Sequence, residues 1–397
     1  MYPPPDEEIS AASDHSTPVG AQLRAAPPDR LPEVAAEHLR RHFAADRIEV
    51  LLGDLTLTGL RPVLDPHATG GGPLAQRCFG SQRPVLEPAR AGAVRVHLPL
   101  SIWGERLGVL QLETTLDSDD ELVDRLGAVA GELAVALRAA DRDTDRYRAG
   151  RRRERLTMAA ELQWELLPGR SLGDQRFLLA GQLEPAYAVC GDHFDWAVDG
   201  DRLIVTVLNG FGHGLQAALL STVAVNAMRN ARRSGANIIE QAELASEAVY
   251  SCHGGAAHVA TLLLEIDLVG GTVEAVDAGS PRALIAREGE IRPVSLDQQL
   301  PLGMFGEIHY ETQRFRLEPG DRLLVVSDGV HAAAPNGRAA YGGSALLTAL
   351  RRTRLQPATE AVGTVMRSLH EYHAGTDPTD DAVAVCLDWR REPQVGA

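Results

Sequence analysis

The spacing of apolar and polar positions changes several times along the chain, and each change predicts an element. Residues 31–43 carry a short helical spacing through Val34, Leu39 and Phe43, after which residues 48–52 and 55–58 alternate as strands do. A Gly/Pro-rich loop over 67–73 leads to two more strand-like runs, 94–100 and 104–112, which read as an antiparallel pair joined by a glycine-containing turn. From 119 to 140 the period lengthens. Leu122, Leu126, Val129, Leu133 and Leu137 are spaced for one apolar stripe on a helix with acids in its first turn. The stepping is close to a coiled-coil seam and predicts pairing across a homodimer, with help from the flanking domains, although a stripe of this width could equally pack on the chain's own N-terminal domain. An Arg-rich stretch (Arg146, Arg148, Arg151, Arg152, Arg153, Arg155) and a second amphipathic segment ending at Pro168 complete a helical connector.

Beyond residue 175 the pattern is rich in strands. Residues 203–208, 260–266, 272–276, 283–286, 323–326 and 382–389 are β-branched or apolar runs bounded by turn residues, while 215–233, 344–350 and 360–372 have helical composition. Runs of strands broken by helices predict a sandwich of antiparallel sheets rather than a parallel βαβ array, so the fold class is α+β. Residues 1–30 lack a hydrophobic period and read as a mobile tail.

Length and composition narrow the functions. A chain of 397 residues predicts two or three domains, and 44% apolar with 23% charged residues allows real cores. Every one of the 39 basic residues is Arg, which excludes Schiff-base chemistry, a Walker-type phosphate loop and a lysine nucleophile. With 54 acidic residues the net charge is −15, an argument against nucleic acid as partner. The four cysteines are dispersed, with neither a CxxC pair nor zinc-finger spacing, and fit a reduced cytosol. No apolar run is long enough to span a membrane and the first residues do not form a signal peptide, so the expected location is the cytoplasm. No GxSxG elbow is present for a serine-histidine-aspartate triad.

The candidate chemistry lies in acids at strand ends. Asp192, Asp328 and the pair Asp380-Asp381 each stand where an apolar strand meets a turn, and carboxylates converging on one rim suit a hard divalent cation. In sequence order the segments around them resemble the type 2C (PPM) metal-dependent protein serine/threonine phosphatases, and within these the SpoIIE-like branch. The resemblance covers residues 155–389. It is carried by Leu162-Gln163 and Leu166-Leu-Pro168, Cys190-Gly-Asp-His-Phe-Asp195, Gly212-His-Gly214, Pro301-Leu-Gly303, Pro319-Gly-Asp321, Ser327-Asp-Gly-Val330 and Asp380-Asp381. It implies an α-β-β-α sandwich and a site with two Mn²⁺ or Mg²⁺ ions that activate a water for in-line attack on phosphorus. On this resemblance Asp192 serves one ion and Asp328 and Asp380 the other, with Asp381 as the alternate to Asp380 and the Gly210 carbonyl as a further ligand. It also implies a phosphorylated regulatory protein as substrate, an anti-sigma-factor antagonist in that branch.

One position departs from the family pattern. Where an aspartate normally bridges both metals, this chain has Asn209, whose amide oxygen can coordinate but carries no charge. A pseudophosphatase, keeping the fold as a signalling and binding module, is therefore the alternative function. Residues 31–140 resemble a GAF sensory domain through the segment around 98–112, which implies control of the phosphatase domain and room for a small-molecule ligand. The expected organisation is a tail (1–30), a GAF-like domain (31–140), a helical connector (141–170), the phosphatase domain (171–392) and a short tail (393–397).

Overall fold

The computed structural model describes residues 18–390, apart from 58, 66, 69, 118, 185–190, 280, 376, 377 and 379. Residues 1–17 and 393–397 of the expected tails, residues 391 and 392, and Cys190 of the first acidic motif lie outside the described residues. The chain divides into two compact units. The first runs to Arg151, and the second takes Leu55–Leu57, Trp103–Arg106 and everything from Arg152 on.

The first unit contains α1 (Val19–Ala25), α2 (Leu31–Phe43), β1 (Ala45–Gly53), β2 (Leu60–Pro62), α3 (Pro73–Ser81), β3 (Val85–Pro88), β4 (Val94–Ile102), β5 (Glu105–Thr114), α4 (Asp120–Ala140) and α5 (Arg146–Gly150). Its strands form one sheet in the order β2-β1-β5-β4-β3. Three expectations are corrected here. Residues 18–30 are not a tail: α1 forms and buries Leu23 in the core. Residues 55–57 are not a strand, because Leu57 adopts φ 55°, a left-handed turn conformation incompatible with extended backbone, and residue 58 lies outside the described residues. The stripe on α4 is not a free seam. Leu122, Leu126, Val129, Leu133 and Leu137 are at most 5% exposed and pack with Val50, Leu98, Leu100, Leu110 and Leu112. The apolar face that suggested a homodimer is consumed inside its own unit. The Asp119 carboxylate caps the helix by accepting the Leu122 N–H at 2.8 Å.

The second unit begins with α6 (Met158–Leu166), so the expected connector is not a body of its own; residues 151–157, between α5 and α6, are not helical. It continues through β6 (Ser171–Gly173), β7 (Phe177–Glu184), β8 (Asp192–Asp199), β9 (Arg202–Gly210), α7 (Gly214–Arg233), α8 (Ile238–His253), β10 (Val259–Asp267), β11 (Thr272–Ala278), β12 (Arg282–Arg287), β13 (Glu290–Pro293), β14 (Gln313–Arg316), β15 (Arg322–Val326), α9 (Asp328–His331), α10 (Ser344–Arg352), α11 (Ala358–His373) and β16 (Ala382–Trp389). Two sheets result, ordered β14-β11-β10-β9-β8 and β13-β12-β15-β16-β7-β6.

Strand alternation builds four layers from these elements. Leu203, Val205 and Val207 of β9 and Leu323 and Val325 of β15 join the core between the sheets with Phe194, Trp196 and Val385. Their neighbours face outward. Ile204 and Leu208 pack against α7 and α8 through Leu220, Met228 and Val249, and Leu324 and Val326 against α10 and α11 through Leu346, Val365 and Leu369. The α-β-β-α sandwich expected from the sequence is present. No described helix is long and apolar enough to cross a membrane.

Candidate active site

Four strand ends assemble the site. Strands β8 and β9 pair antiparallel with Asp192 opposite Asn209, so the first residue of one strand lies beside the penultimate residue of the other. In the second sheet β15 and β16 pair with Val326 opposite Ala384, which brings Asp328, just after β15, beside Asp380 and Asp381, just before β16. Asp381 then joins the two sheets: its Oδ2 accepts the backbone N–H of Gly191 at 2.7 Å and of Asp192 at 3.3 Å.

Close backbone packing at this end explains three glycines. A Cβ on Gly329 would collide with the carbonyl oxygen of Asp381, and one on Gly210 with the Ser221 hydroxyl. On Gly191 it would stand 2.5 Å from the Gly210 oxygen. At Gly191 and Gly329 no side chain fits without moving backbone, and at Gly210 none fits without moving Ser221, so the Asp-Gly, Asn-Gly and Gly-Asp pairs are set by packing as well as by chemistry.

The acids are not equivalent. Asp192 is fully buried, and neither carboxylate oxygen has a well-aimed hydrogen-bond donor. Burial raises its pKa well above the usual carboxylate value; the Ser327 hydroxyl beside it offsets part of this, and the charges of Asp381, Asp328 and Asp380 add to it. Asp328 Oδ1 accepts the Gly329 N–H at 2.9 Å and also the side-chain amide of Asn209. Asp380 is exposed at the rim and its Oδ1 accepts the Asp381 N–H at 2.9 Å. Desolvation by the surrounding chain, then Asp328, raises its pKa.

The sequence-derived candidates Asp192, Asn209, Gly210, Asp328, Asp380 and Asp381 thus gather at one end of the sandwich. Their donor atoms are unequally available. The buried oxygens of Asp192, which have no well-aimed donor, fit a hard cation, which would relieve a poorly compensated charge. Asp381 instead uses an oxygen as a backbone brace. Among the described residues no group of three or more His, Cys, Asp and Glu side chains is already arranged to hold a metal. His213, at the N-cap of α7, is exposed, and His258 stacks near Phe211 with ring centroids 4.8 Å apart.

Beneath the site lies a polar cluster that sequence reading missed. Asp195, 3% exposed, receives Arg229 through two nitrogens at 2.6 and 3.2 Å and Arg232 at 3.3 Å, while Arg229 also donates to the Leu166 carbonyl at 2.6 Å. His193 is fully buried nearby, and burial lowers its pKa to about 3. The signal was period-two alternation: Phe194 and Trp196 face the core between the sheets, which places His193 and Asp195 on the opposite face, toward α7.

Residues 199–390 match the family model described as "Stage II sporulation protein E (SpoIIE)". The chain is similar to the phosphoserine phosphatase RsbP of Bacillus subtilis (strain 168), at 24% identity over 140 residues, 34% of each chain. The match thus spans about a third of that relative's length. Among solved structures it is similar to the SiaA PP2C domain of Pseudomonas aeruginosa, with TM-score 0.50, 20% identity and coverage of 58% of this chain and 94% of that one. The strand order and the four layers are thus those of a PP2C-type fold, and residues 199–390 carry the similarity to SpoIIE-type domains.

Proposed function

We propose that the second unit is a metal-dependent protein phosphatase that removes phosphate from serine or threonine of a regulatory protein, an anti-sigma-factor antagonist being the substrate class that the SpoIIE resemblance favours. The first unit, read as a GAF-like sensory domain, controls it from within the cytoplasm. The observation that carries the reading is Asp192: a fully buried carboxylate with no well-aimed donor and only the Ser327 hydroxyl beside it, facing three more acids, is a costly arrangement that a cation would stabilise.

Asp192, Asp328, Asp380 and the Gly210 carbonyl would hold Mn²⁺ or Mg²⁺, with Asp381 as the brace that aims Asp192. What such an ion supplies is charge neutralisation at the phosphoryl oxygens and an activated water. The chain's own part is positional. The Asp381 carboxylate fixes the start of β8, the Asn209 amide and the Gly329 N–H fix the rotamer of Asp328, and exposed Asp380 leaves the rim open to a phosphorylated side chain.

The test is phosphate release from a phosphoserine protein in Mn²⁺, by the wild type and by Asp328→Asn. The expected result is turnover by the wild type and background release by the variant. Absence of wild-type turnover at every Mn²⁺ concentration refutes catalysis. The Asn209–Asp328 hydrogen bond favours one second reading, a pseudophosphatase that binds a partner without hydrolysis. In that case Asn209→Asp gains turnover that the wild type lacks.

A further inference from the structure

We infer that this site takes one divalent cation, seated at Asp192, and that the side-chain amide of Asn209 stands in for the second. The inference rests on the reading of the site as cation-dependent and specifies how it is loaded. Two dications held side by side need an anion between them, because their mutual repulsion at a separation of about 3.5–4 Å is large at any protein dielectric. The position paired with Asp192 across the β8–β9 ladder is the neutral Asn209.

Asn209 is also turned the wrong way for a bridging ligand. Its Nδ2 donates to Asp328 Oδ1, and the reversed amide would set two oxygens against each other, so the acceptor on Asp328 fixes its orientation. The amide therefore presents N–H groups, with positive partial charge, where a second cation would seek an oxygen. Asp328 Oδ1 is already shared by Asn209 and the Gly329 N–H. Asp381 Oδ2 is held by two backbone N–H groups, and Asp380 Oδ1 by one. Asp192 differs from all three, since both of its oxygens lack a well-aimed donor.

The experiment counts Mn²⁺ bound to the full chain, by calorimetric titration and by the electron paramagnetic resonance signal of free Mn²⁺. The wild type is expected to bind one equivalent, Asp192→Asn none, and Asn209→Asp two, with the paired ions broadening each other's spectrum. Two equivalents in the wild type overturn the inference while leaving a metal-dependent phosphatase intact. One equivalent retained in Asp192→Asn overturns its placement, and Asn209→Asp remaining at one overturns the role of the amide. No binding by the wild type overturns the inference and metal dependence together. Circular dichroism establishes that each variant is folded; should Asn209→Asp not fold, the wild-type and Asp192→Asn counts decide.

Discussion

Replacing Arg229 with Met tests whether the cluster under the site braces the second unit. Asp195 is 3% exposed and Arg229 17%, so solvent screens the pair little. Stripping one partner from a buried ion pair costs ~3–5 kcal/mol, because the remaining charge is left without compensation. Arg232 stays, at 3.3 Å from Asp195 and 15% exposed, and retains part of that energy. The Met side chain replaces the apolar stem of Arg229, while the Leu166 carbonyl loses its donor at a further cost of about 1 kcal/mol. The net expectation is about 2–3 kcal/mol, or a fall in melting temperature of roughly 5–10 °C for a domain of this size. Trp103, Trp164, Trp196 and Trp389 all belong to the second unit, so tryptophan fluorescence in urea follows its unfolding selectively. Asp195→Leu combined with Arg229→Met should recover at least ~1 kcal/mol relative to the sum of the single changes, since the Asp195–Arg229 interaction is then lost once rather than twice, while Arg232 loses its partner in both Asp195→Leu proteins alike. A loss below about 0.5 kcal/mol in Arg229→Met, within the scatter of ordinary surface substitutions, would refute the brace.

His193 supplies an acid-sensitive element: burial lowers its pKa to about 3, so below the unfolded value of about 6.5 the unfolded chain takes a proton that the folded chain refuses, and stability falls as pH drops from about 6.5 toward 3. At pH 5 in chelator this costs about 2 kcal/mol, and His193→Gln should flatten the stability profile between pH 8 and 5 by that amount in urea titrations; equal slopes in both proteins would contradict it. The raised pKa of Asp192 acts with the opposite sign, adding stability as pH falls, but it is common to both proteins and drops out of the comparison. Gly329→Ala drives a methyl into the Asp381 carbonyl, so the variant should lose more than about 3 kcal/mol or displace Asp381, read by thermal melting and by weakened Mn²⁺ binding. In the first unit, Leu133→Ala empties a fully buried position on α4 and should cost about 2–5 kcal/mol in that unit's transition, measured by circular dichroism.

How far the sequence could be read followed how each element is buried. Strands β9, β10, β15 and β16 were visible because continuous β-branched runs bounded by turns have few other solutions. Strand β7 was not, although it has neighbours on both sides: it is buried on both faces, so it lacks alternation, and it contains Gly181, whose missing side chain makes room for the rings of Phe194 and Trp196. Helix α8 was hidden for a related reason. Its inward face carries Gln241, Ala242, Ala245 and Ser246, small or polar residues that dilute an apolar stripe while still packing closely. The stripe on α4 was legible as a stripe but left two covers open, a second copy or its own unit, since periodicity gives the width of an apolar face and not what covers it; its own unit does.

Site residues were legible by type and order, while their division of labour was not. Four aspartates at strand ends look alike in sequence, yet the structure gives Asp192 no well-aimed donor, Asp381 two backbone N–H groups and Asp328 a side-chain amide. What distinguishes them is the partner that the opposite sheet presents, a contact between residues as far apart as 191 and 381 that no local spacing encodes. The same long-range constraint makes Asn209 informative. An asparagine at a strand end ordinarily reads as a turn former, but across from Asp192 and against Asp328 its amide sets which carboxylate oxygens remain for a cation. Charge at this site is thus controlled by a neutral residue: one oxygen changed to nitrogen removes a negative charge and adds a donor, and both changes act against a second dication.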